Sequence, residues 1–488
     1  MKGVAFPVGT IYQAWYLYVI ASLCCLSVAC SLIGFDIGLF GGAMFYLIAL
    51  LFFTSIFLGT VFSASQGLIM VCYVSLSFLA FQLPMIGFSL GLNGSLSLSD
   101  VKIVIGLRPL LVASLLILLF MKYIFCFERS HNFIIGFVVI SLALSFFVSA
   151  ATVTDSGKYF INSFIPLFLG LILLALIIER PQEIPSSGGG GGSAAYFSLS
   201  FAILVLCFFY NLSLVFSYEL FRPDLASAYR AEHRGYIDYG DYPASWKDVV
   251  RGALIIRMAG TFSDPIQFGY FCTFCSFFFM CSRSFLFKLV GAAFAYGLYL
   301  SASKGASICL AISLLLFFAH LRFKALFWPT VIAVTFVFLF LASSLSTSGK
   351  VHFAGLVGGL TSVATASPIN MGFGYGIGAG GNLSVVSGSV GAQDHSWLLT
   401  GAESGFGVMV FQMGLSGVLC LFLTVRYFLC AVKKSNFLST RSKSAVTSLM
   451  ISYLVCFLLQ ENLINSSILC MFFLAICMLV HSDHNQRH

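Results

Sequence analysis

The sequence predicts an all-α integral membrane protein, on the evidence of its composition and of the length of its apolar stretches. Its 488 residues are 59% hydrophobic and 9% charged, whereas soluble proteins carry about 25% charged residues. The apolar stretches run for about 18–25 residues, long enough to cross a bilayer as helices. They lack the roughly ten-residue alternation typical of membrane barrels. This pattern excludes a soluble enzyme, a disordered protein and a disulfide scaffold.

Counting the apolar stretches predicts about 14 transmembrane helices. They lie near residues 11–34, 37–59, 65–90, 103–124, 133–152, 159–179, 195–217, 265–281, 285–302, 305–321, 325–345, 397–425, 445–461 and 464–481. The first is too long for a signal peptide, so we expect it to remain as an anchor. The glycine run at 186–193 is interpreted as a flexible linker, native or introduced for expression, without a function.

These spans divide the chain into five segments. An N-terminal bundle of about seven spans covers residues 1–217, spans 8–11 cover 263–345, and the C-terminal spans cover 397–488. Two long loops separate them, at 218–262 and 346–396. Loops of this length are usually functional or disordered.

The lysines and arginines of the short loops predict the orientation. One side receives most of them, whereas the short loops of the other side hold only Lys102, Lys158 and Lys304. Because cytoplasmic loops are enriched in these residues, both termini are predicted to be cytoplasmic and both long loops to lie outside. The net charge of +8 follows from this bias and does not indicate nucleic-acid binding.

The two outer loops differ in composition. The first is rich in charged and aromatic residues, and its stretch 245–258 is expected to form a short helix on the membrane surface. Ser263 or Asp264 is expected to cap the helix that follows, with Pro265 in its first turn. The second loop is rich in glycine and serine and poor in charge.

Four cationic residues are candidate ligands for a pyrophosphate: Arg257, Arg251, Arg108 and Lys304. The planar guanidinium fork gives two hydrogen bonds to a phosphate and stays charged. The alternatives are an interfacial anchor for Arg108, a salt bridge to a nearby aspartate for Arg251 and Arg257, and an ordinary turn for Lys304.

Three further residues are candidates for catalysis. His395 opens a span at the end of the second loop, and a neutral imidazole accepts a hydroxyl proton near neutral pH. Glu403 and Glu461 are costly charges if they lie in the membrane. The alternative for each is a structural role.

Aromatic and basic residues of the first loop are predicted to contact sugars: Trp246, Tyr236, Tyr239, Arg230 and Arg234. The sequence has no Asp-x-Asp motif for a metal-bound nucleotide sugar, no phosphate-binding loop and no serine nucleophile elbow. We therefore expect no metal and no cofactor. An outer cavity with arginines and a base suits the transfer of a glycosyl group from a lipid-linked pyrophosphate.

Ordered motifs in residues 250–425 resemble those of the bacterial O-antigen ligase and polysaccharide polymerase (Wzy-type) superfamily. Arg257-Met-Ala-Gly-Thr-Phe-Ser-Asp-Pro265 is similar to its Arg-x-x-Gly-x-Phe-x-Asn/Asp-Pro segment, and Ser301-Ala-Ser-Lys-Gly-Ala306 to its Ser-x-Ser-Arg-Gly-Ala step. The stretches Gly372-Phe-Gly-Tyr-Gly-Ile-Gly378, His395-Ser-Trp-Leu-Leu and Glu403-Ser-Gly-Phe-Gly407 resemble the later motifs of the family. The first half of the chain matches only as a multispan pattern.

The resemblance implies a metal-independent, inverting glycosyltransferase of the bacterial inner membrane with a GT-C-like architecture. Its substrate would be an undecaprenyl-diphosphate-linked oligosaccharide, handled at the periplasmic face. Arg257 would be the first pyrophosphate arginine and His395 the base. A chain-length regulator protein is a candidate partner besides membrane lipid.

Departures from the family pattern favour a polymerase over a ligase. Lys304 stands where arginine is usual, and only Lys350 and His352 stand near the start of the second loop, where ligases place a second arginine. Three alternatives stay open. They are an O-antigen ligase that transfers glycan to lipid A–core, a flippase for lipid-linked oligosaccharides, and a nonenzymatic subunit of a polysaccharide synthesis complex.

Overall fold

The structure is a computed structural model. It describes residues 68–69, 71–72, 75–76, 109–110, 112–121, 129–149, 156–157, 159–179, 203, 247–250, 253–260, 262, 264–344, 347–381 and 399–484. Apart from one short hairpin, the regular structure in these residues is helical.

The chain forms two compact units. Unit 1 comprises Met1–Leu115, Pro181–Ala306 and Leu474–His488, and unit 2 comprises Leu116–Arg180 and Ser307–Phe473.

The described elements of unit 1 include a hairpin and two helices. The hairpin pairs β1 (Lys247–Val250) with β2 (Ala253–Ile256), and α3 (Pro265–Met280) and α4 (Phe285–Ser301) follow it. Gly291 of α4 has no side chain, so the two helices approach closely, and the Ser276 hydroxyl donates to the Gly291 carbonyl (2.8 Å).

The hairpin corrects the prediction of short surface helices in the first loop. The strands occupy most of the stretch 245–258 that we expected to be helical. They contain the pairs Val249–Val250 and Ile255–Ile256, whose branched β-carbons favour extended backbone over helix.

The start of α3 confirms the predicted cap. The Asp264 side chain accepts a hydrogen bond from the backbone N–H of Ile266 (2.7 Å), and Pro265 occupies the first turn. This arrangement satisfies a donor that the helix itself leaves unpaired.

Unit 2 is a helical bundle. Its elements are α1 (Arg129–Phe147), a π-helical turn (Phe160–Phe164), α2 (Ile165–Glu179), most of α5 (Lys304–Arg322), a 3₁₀ turn (Lys324–Leu326), α6 (Phe327–Ser344), α7 (Thr347–Ala364), α8 (Pro368–Phe373), α9 (Gly405–Lys434), α10 (Thr440–Phe457), a second 3₁₀ turn (Glu461–Ile464) and the first residues of α11 (Ser466–His484).

The core of unit 2 is built around α2 and α9. Of the fifteen residues of α2, all but the last are buried. The long helix α9 is interrupted at Gly414, whose φ of 60° and ψ of −149° are not helical. Only glycine adopts this conformation readily. The break gives α8 and the segment that follows it a place to pack.

Four described helices are long and apolar enough to cross a membrane: Phe160–Glu179, Lys304–Arg322, Lys324–Ser344 and Gly405–Lys434. Shorter apolar helices accompany them, among them Pro265–Met280 and Phe285–Ser301. The protein is therefore a helical membrane protein by the length and composition of its helices. The total of about 14 spans stays a prediction, and the spans near 11–34, 37–59 and most of 195–217 lie outside the described residues.

The second predicted loop is more regular than its composition suggests. Residues 346–396 begin with α7 and α8, although glycine and serine are poor helix formers. The predicted span 397–425 also differs, because its helix begins only at Gly405 and runs, across the break at Gly414, to Lys434. The assignment of residues 346–396 to the outer face stays a prediction.

Candidate functional site

Two of the cationic candidates lie close together along unit 1. The guanidinium Nε of Arg257 donates to the carbonyl of Ser301 (3.0 Å), and the backbone N–H of Met258 donates to the carbonyl of Leu300 (3.0 Å). Lys304 follows at once, as the exposed first residue of α5. The arginine motif is thus tied to the turn that carries the lysine.

The turn between α4 and α5 has a special backbone. Ala302 adopts a φ of 47°, a left-handed conformation that costs a non-glycine residue about 1–2 kcal/mol. The Ser301 hydroxyl accepts a hydrogen bond from the N–H of Ser303 (3.3 Å) and so braces the turn. A strained turn that is held in place fixes the direction of the lysine that follows it.

Several predicted site residues lie outside the described residues: Arg108, Arg251, His395, Trp246, Tyr236, Tyr239, Arg230 and Arg234. Their predicted roles stay predictions.

Glu461 lies at the centre of a polar cluster in unit 2. Glu461 is buried, with only 8% of its surface exposed. One carboxylate oxygen accepts a hydrogen bond from the Tyr159 hydroxyl (2.8 Å), and the other accepts one from the backbone N–H of Glu403 (2.9 Å). A buried carboxylate needs such donors because water no longer solvates it.

Glu403 joins Glu461 to a histidine. The backbone N–H of Glu461 donates to the Glu403 carbonyl (3.2 Å), so the two glutamates are bonded in both directions. The same carbonyl lies 2.8 Å from Nδ1 of His352, and the Glu403 carboxylate lies 3.5 Å from that nitrogen. Both side chains are about one-quarter exposed, at 26% and 27%. Two candidates far apart in sequence therefore meet, together with a histidine that was not selected.

The tautomer of His352 follows from this geometry. A backbone carbonyl only accepts hydrogen bonds, so Nδ1 must carry the proton that it donates to Glu403. In the neutral ring, Nε2 is then the unprotonated nitrogen and can accept a proton. This arrangement, in which a backbone carbonyl orients the ring, suits a general base.

Glycines of α7 bring His352 to this position. A Cβ at Gly355 would overlap the carbonyl oxygen of Ala402, and a Cβ at Gly359 would lie 2.5 Å from the carbonyl oxygen of Gly407. The small-xxx-small spacing therefore lets α7 touch the backbone of residues 401–407. His352 lies about one turn before Gly355, beside Glu403.

The glycine motif at 372–378 packs unit 2 together. The N–H groups of Tyr375 and Gly376 donate to the carbonyls of Phe411 (2.9 Å) and Gln412 (3.1 Å), beside the break in α9. The Gln412 side chain accepts from the N–H of Gly378 (2.9 Å) and donates to the carbonyl of Gly380 (2.7 Å). These bonds replace helix hydrogen bonds in the break.

The same segment reaches the polar cluster. A Cβ at Gly381, whose φ is 83°, would overlap the Tyr159 hydroxyl and lie 2.7 Å from Oε1 of Glu461. Glycine is therefore required there by both space and conformation. The residues that follow the glycine motif therefore form a wall of the cluster.

The cluster can move a proton but offers no metal site. Among the described residues no group of three or more His, Cys, Asp or Glu side chains is placed to hold a metal ion. Unit 2 provides an accessible imidazole, a backbone carbonyl that orients it, a neighbouring carboxylate and a buried carboxylate that fixes the backbone of Glu403.

Comparison with known proteins adds no family. No protein-family model, no curated protein and no solved structure matches this chain. The function must therefore be inferred from the residues themselves.

Proposed function

We propose that the protein is a polysaccharide polymerase of the bacterial inner membrane. It transfers glycan from an undecaprenyl-diphosphate-linked oligosaccharide to a sugar hydroxyl of an acceptor at the periplasmic face, with inversion and without a metal. The observation that carries the proposal is the position of His352, whose Nδ1 lies 2.8 Å from the backbone carbonyl oxygen of Glu403 and 3.5 Å from its carboxylate. Such a pair suits the deprotonation of a hydroxyl group.

In this mechanism His352 is the proton acceptor and Glu403 its orienting partner. Glu461 is a positioning residue, because it holds the backbone of Glu403 rather than the substrate. His395 is the alternative base, predicted from the sequence alone. Activity of variants at these two histidines decides between them.

The proposed reaction balances without an external energy source. The acceptor hydroxyl gives its proton to Nε2 of His352, and its oxygen forms a bond to the anomeric carbon. The bond from that carbon to the diphosphate oxygen breaks, and the diphosphate leaves with the electron pair. Arg257 and Lys304 stay the candidates from the sequence for the diphosphate, whose developing charge favours cationic partners.

The test is glycan elongation by purified protein in detergent. We expect lipid-linked repeat units to be lengthened in EDTA and without ATP. His352→Gln is expected to lower kcat by about 100-fold or more, since general bases contribute 10²–10⁴-fold. Glu403→Gln should give a smaller loss of kcat, because the backbone carbonyl that orients His352 stays in place. Arg257→Ala should abolish elongation, because the leaving diphosphate loses a cation.

The matched control is His320→Gln. His320 lies near the end of α5, where its ring packs against Phe327 (4.4 Å between ring centres). We expect this variant to retain activity. Transfer to lipid A–core acceptor without elongation would instead indicate a ligase, and movement of labelled lipid without glycan growth would indicate a flippase. Either result refutes the polymerase, and full activity of His352→Gln refutes the role of that histidine.

A further inference from the structure

One end of unit 2 is strongly basic. Seven cationic residues lie in the connection from α5 to α6, at the end of α9 and at the start of α10. They are Arg322, Lys324, Arg426, Lys433, Lys434, Arg441 and Lys443, together called the basic end. Segments 318–328 and 425–443 contain no Asp or Glu. One acidic group, Glu179 at the end of α2, accepts a hydrogen bond from Tyr427 (2.9 Å) nearby.

Tertiary contacts bring these cations together. The guanidinium carbon of Arg441 lies 5.4 Å from the ring centre of Phe317 in α5, which joins α10 to the end of α5. The Lys443 ammonium donates to the carbonyl of Lys433 (3.2 Å), which joins the start of α10 to the end of α9. Three separate parts of the sequence therefore form a single cationic surface.

Exposed apolar side chains lie next to the cations. Phe323 is 62% exposed, Leu326 55% and Trp328 57%. They lie with Arg322 and Lys324 within the seven residues 322–328. A tryptophan and basic residues at the end of an apolar helix are typical of the boundary between membrane and water.

We propose that the basic end binds anionic phospholipids. The cations contact the phosphate of the headgroup, while Phe323, Leu326 and Trp328 contact the upper part of the acyl chains. This pairing of charge with exposed apolar surface favours a lipid over an acidic protein, since a soluble acidic partner would not cover the apolar side chains. The site lies outside the residues proposed for glycan transfer and does not depend on that function.

The experiment uses Trp328 as the reporter in the full-length protein. The other tryptophans are replaced by the substitutions Trp15→Phe, Trp246→Phe and Trp397→Phe. The protein is placed in phosphatidylcholine nanodiscs that contain brominated phosphatidylglycerol or, in parallel, brominated phosphatidylcholine. We expect brominated phosphatidylglycerol to quench Trp328 more strongly than brominated phosphatidylcholine at equal mole fraction. About 0.5 M NaCl should remove the difference, because salt screens exposed charges.

The variant Arg322→Gln, Lys324→Gln, Arg441→Gln should lose the preference for the anionic lipid. Each cation near a membrane contributes about 1 kcal/mol to the binding of anionic lipid. Each substitution should therefore raise the mole fraction of phosphatidylglycerol that gives half-maximal quenching roughly fivefold. Lys350→Gln removes a charge in the first turn of α7, beyond the far end of α6, and should leave quenching unchanged. Equal quenching by both lipids in the starting protein, or a preference that survives the triple substitution, would overturn the proposal.

Discussion

Glu403 combines a strained backbone with a charged side chain. Its φ of 70° lies in the left-handed region, where a side chain costs about 1–2 kcal/mol relative to ordinary backbone. Hydrogen bonds with Glu461 in both directions hold it there. A glycine would adopt this conformation without strain, so the presence of glutamate points to a use for its carboxylate.

The strained backbone and the carboxylate of Glu403 predict separate effects of substitution, one on stability and one on activity. Glu403→Gly and Glu403→Ala both remove the carboxylate, but only glycine relieves the strain. We expect the glycine variant to be more stable than the alanine variant by about 1 kcal/mol, and both to lose most elongation activity. Denaturant unfolding in detergent, with elongation rates alongside, measures the two effects. Equal stabilities would show that the positive φ carries no strain.

At the scale of elements, glycines allow the helices and loops of unit 2 to pack closely against one another. The predicted consequence is sharpest in α7, where a Cβ at Gly355 would meet the backbone of Ala402. Backbone yields less readily than a side chain, so Gly355→Ala should lower the free energy of unfolding by about 1–3 kcal/mol. It should also move His352 away from Glu403 and reduce elongation.

Gly136 in α1 is the matched control. Nothing lies within 4 Å of a Cβ built there, so Gly136→Ala should raise the free energy of unfolding by up to about 1 kcal/mol through helix propensity. Chemical unfolding of both variants in the same detergent gives the comparison. Similar effects at the two positions would refute the close approach of α7.

The helices could be predicted from sequence because bilayer thickness fixes their length. The apolar stretch predicted at 285–302 coincides almost to the residue with α4, Phe285–Ser301, one of the shorter apolar helices. The hairpin could not be recognised in the same way, because charged and aromatic residues on the first loop suggested a surface helix. Helix α7 was not predicted, because glycines favour a loop when only the local sequence is considered. In the fold, the glycines of α7 allow close contact with another part of the chain.

The site was only partly predictable for a related reason. Glu403 and Glu461 were selected because charges are costly in apolar sequence, and the structure joins them. His352 carried no such signal, since a histidine at the edge of a loop is ordinary. Its contact with Glu403 depends on Gly355 and Gly359, so only the fold reveals it.

At the scale of the molecule, unit 2 has chemically different ends. Helix α6 starts beside the basic end and finishes near the start of α7, which carries His352. Its 18 residues span about 27 Å, close to the hydrocarbon thickness of a bilayer. Since lysine and arginine collect on the cytoplasmic side, the cluster of His352, Glu403 and Glu461 is expected at the outer face.

Cysteine labelling tests this orientation. Asn436→Cys lies between α9 and α10 at the basic end, and Lys350→Cys lies in α7 near His352; both native residues are exposed. In a background in which the exposed Cys430 is replaced by serine, an impermeant maleimide added to intact cells should label position 350. It should reach position 436 only after the membrane is opened. Labelling of position 436 in intact cells would show that the protein has the opposite orientation in the membrane. Inversion would place the proposed base in the cytoplasm, where a periplasmic polymerase could not use it.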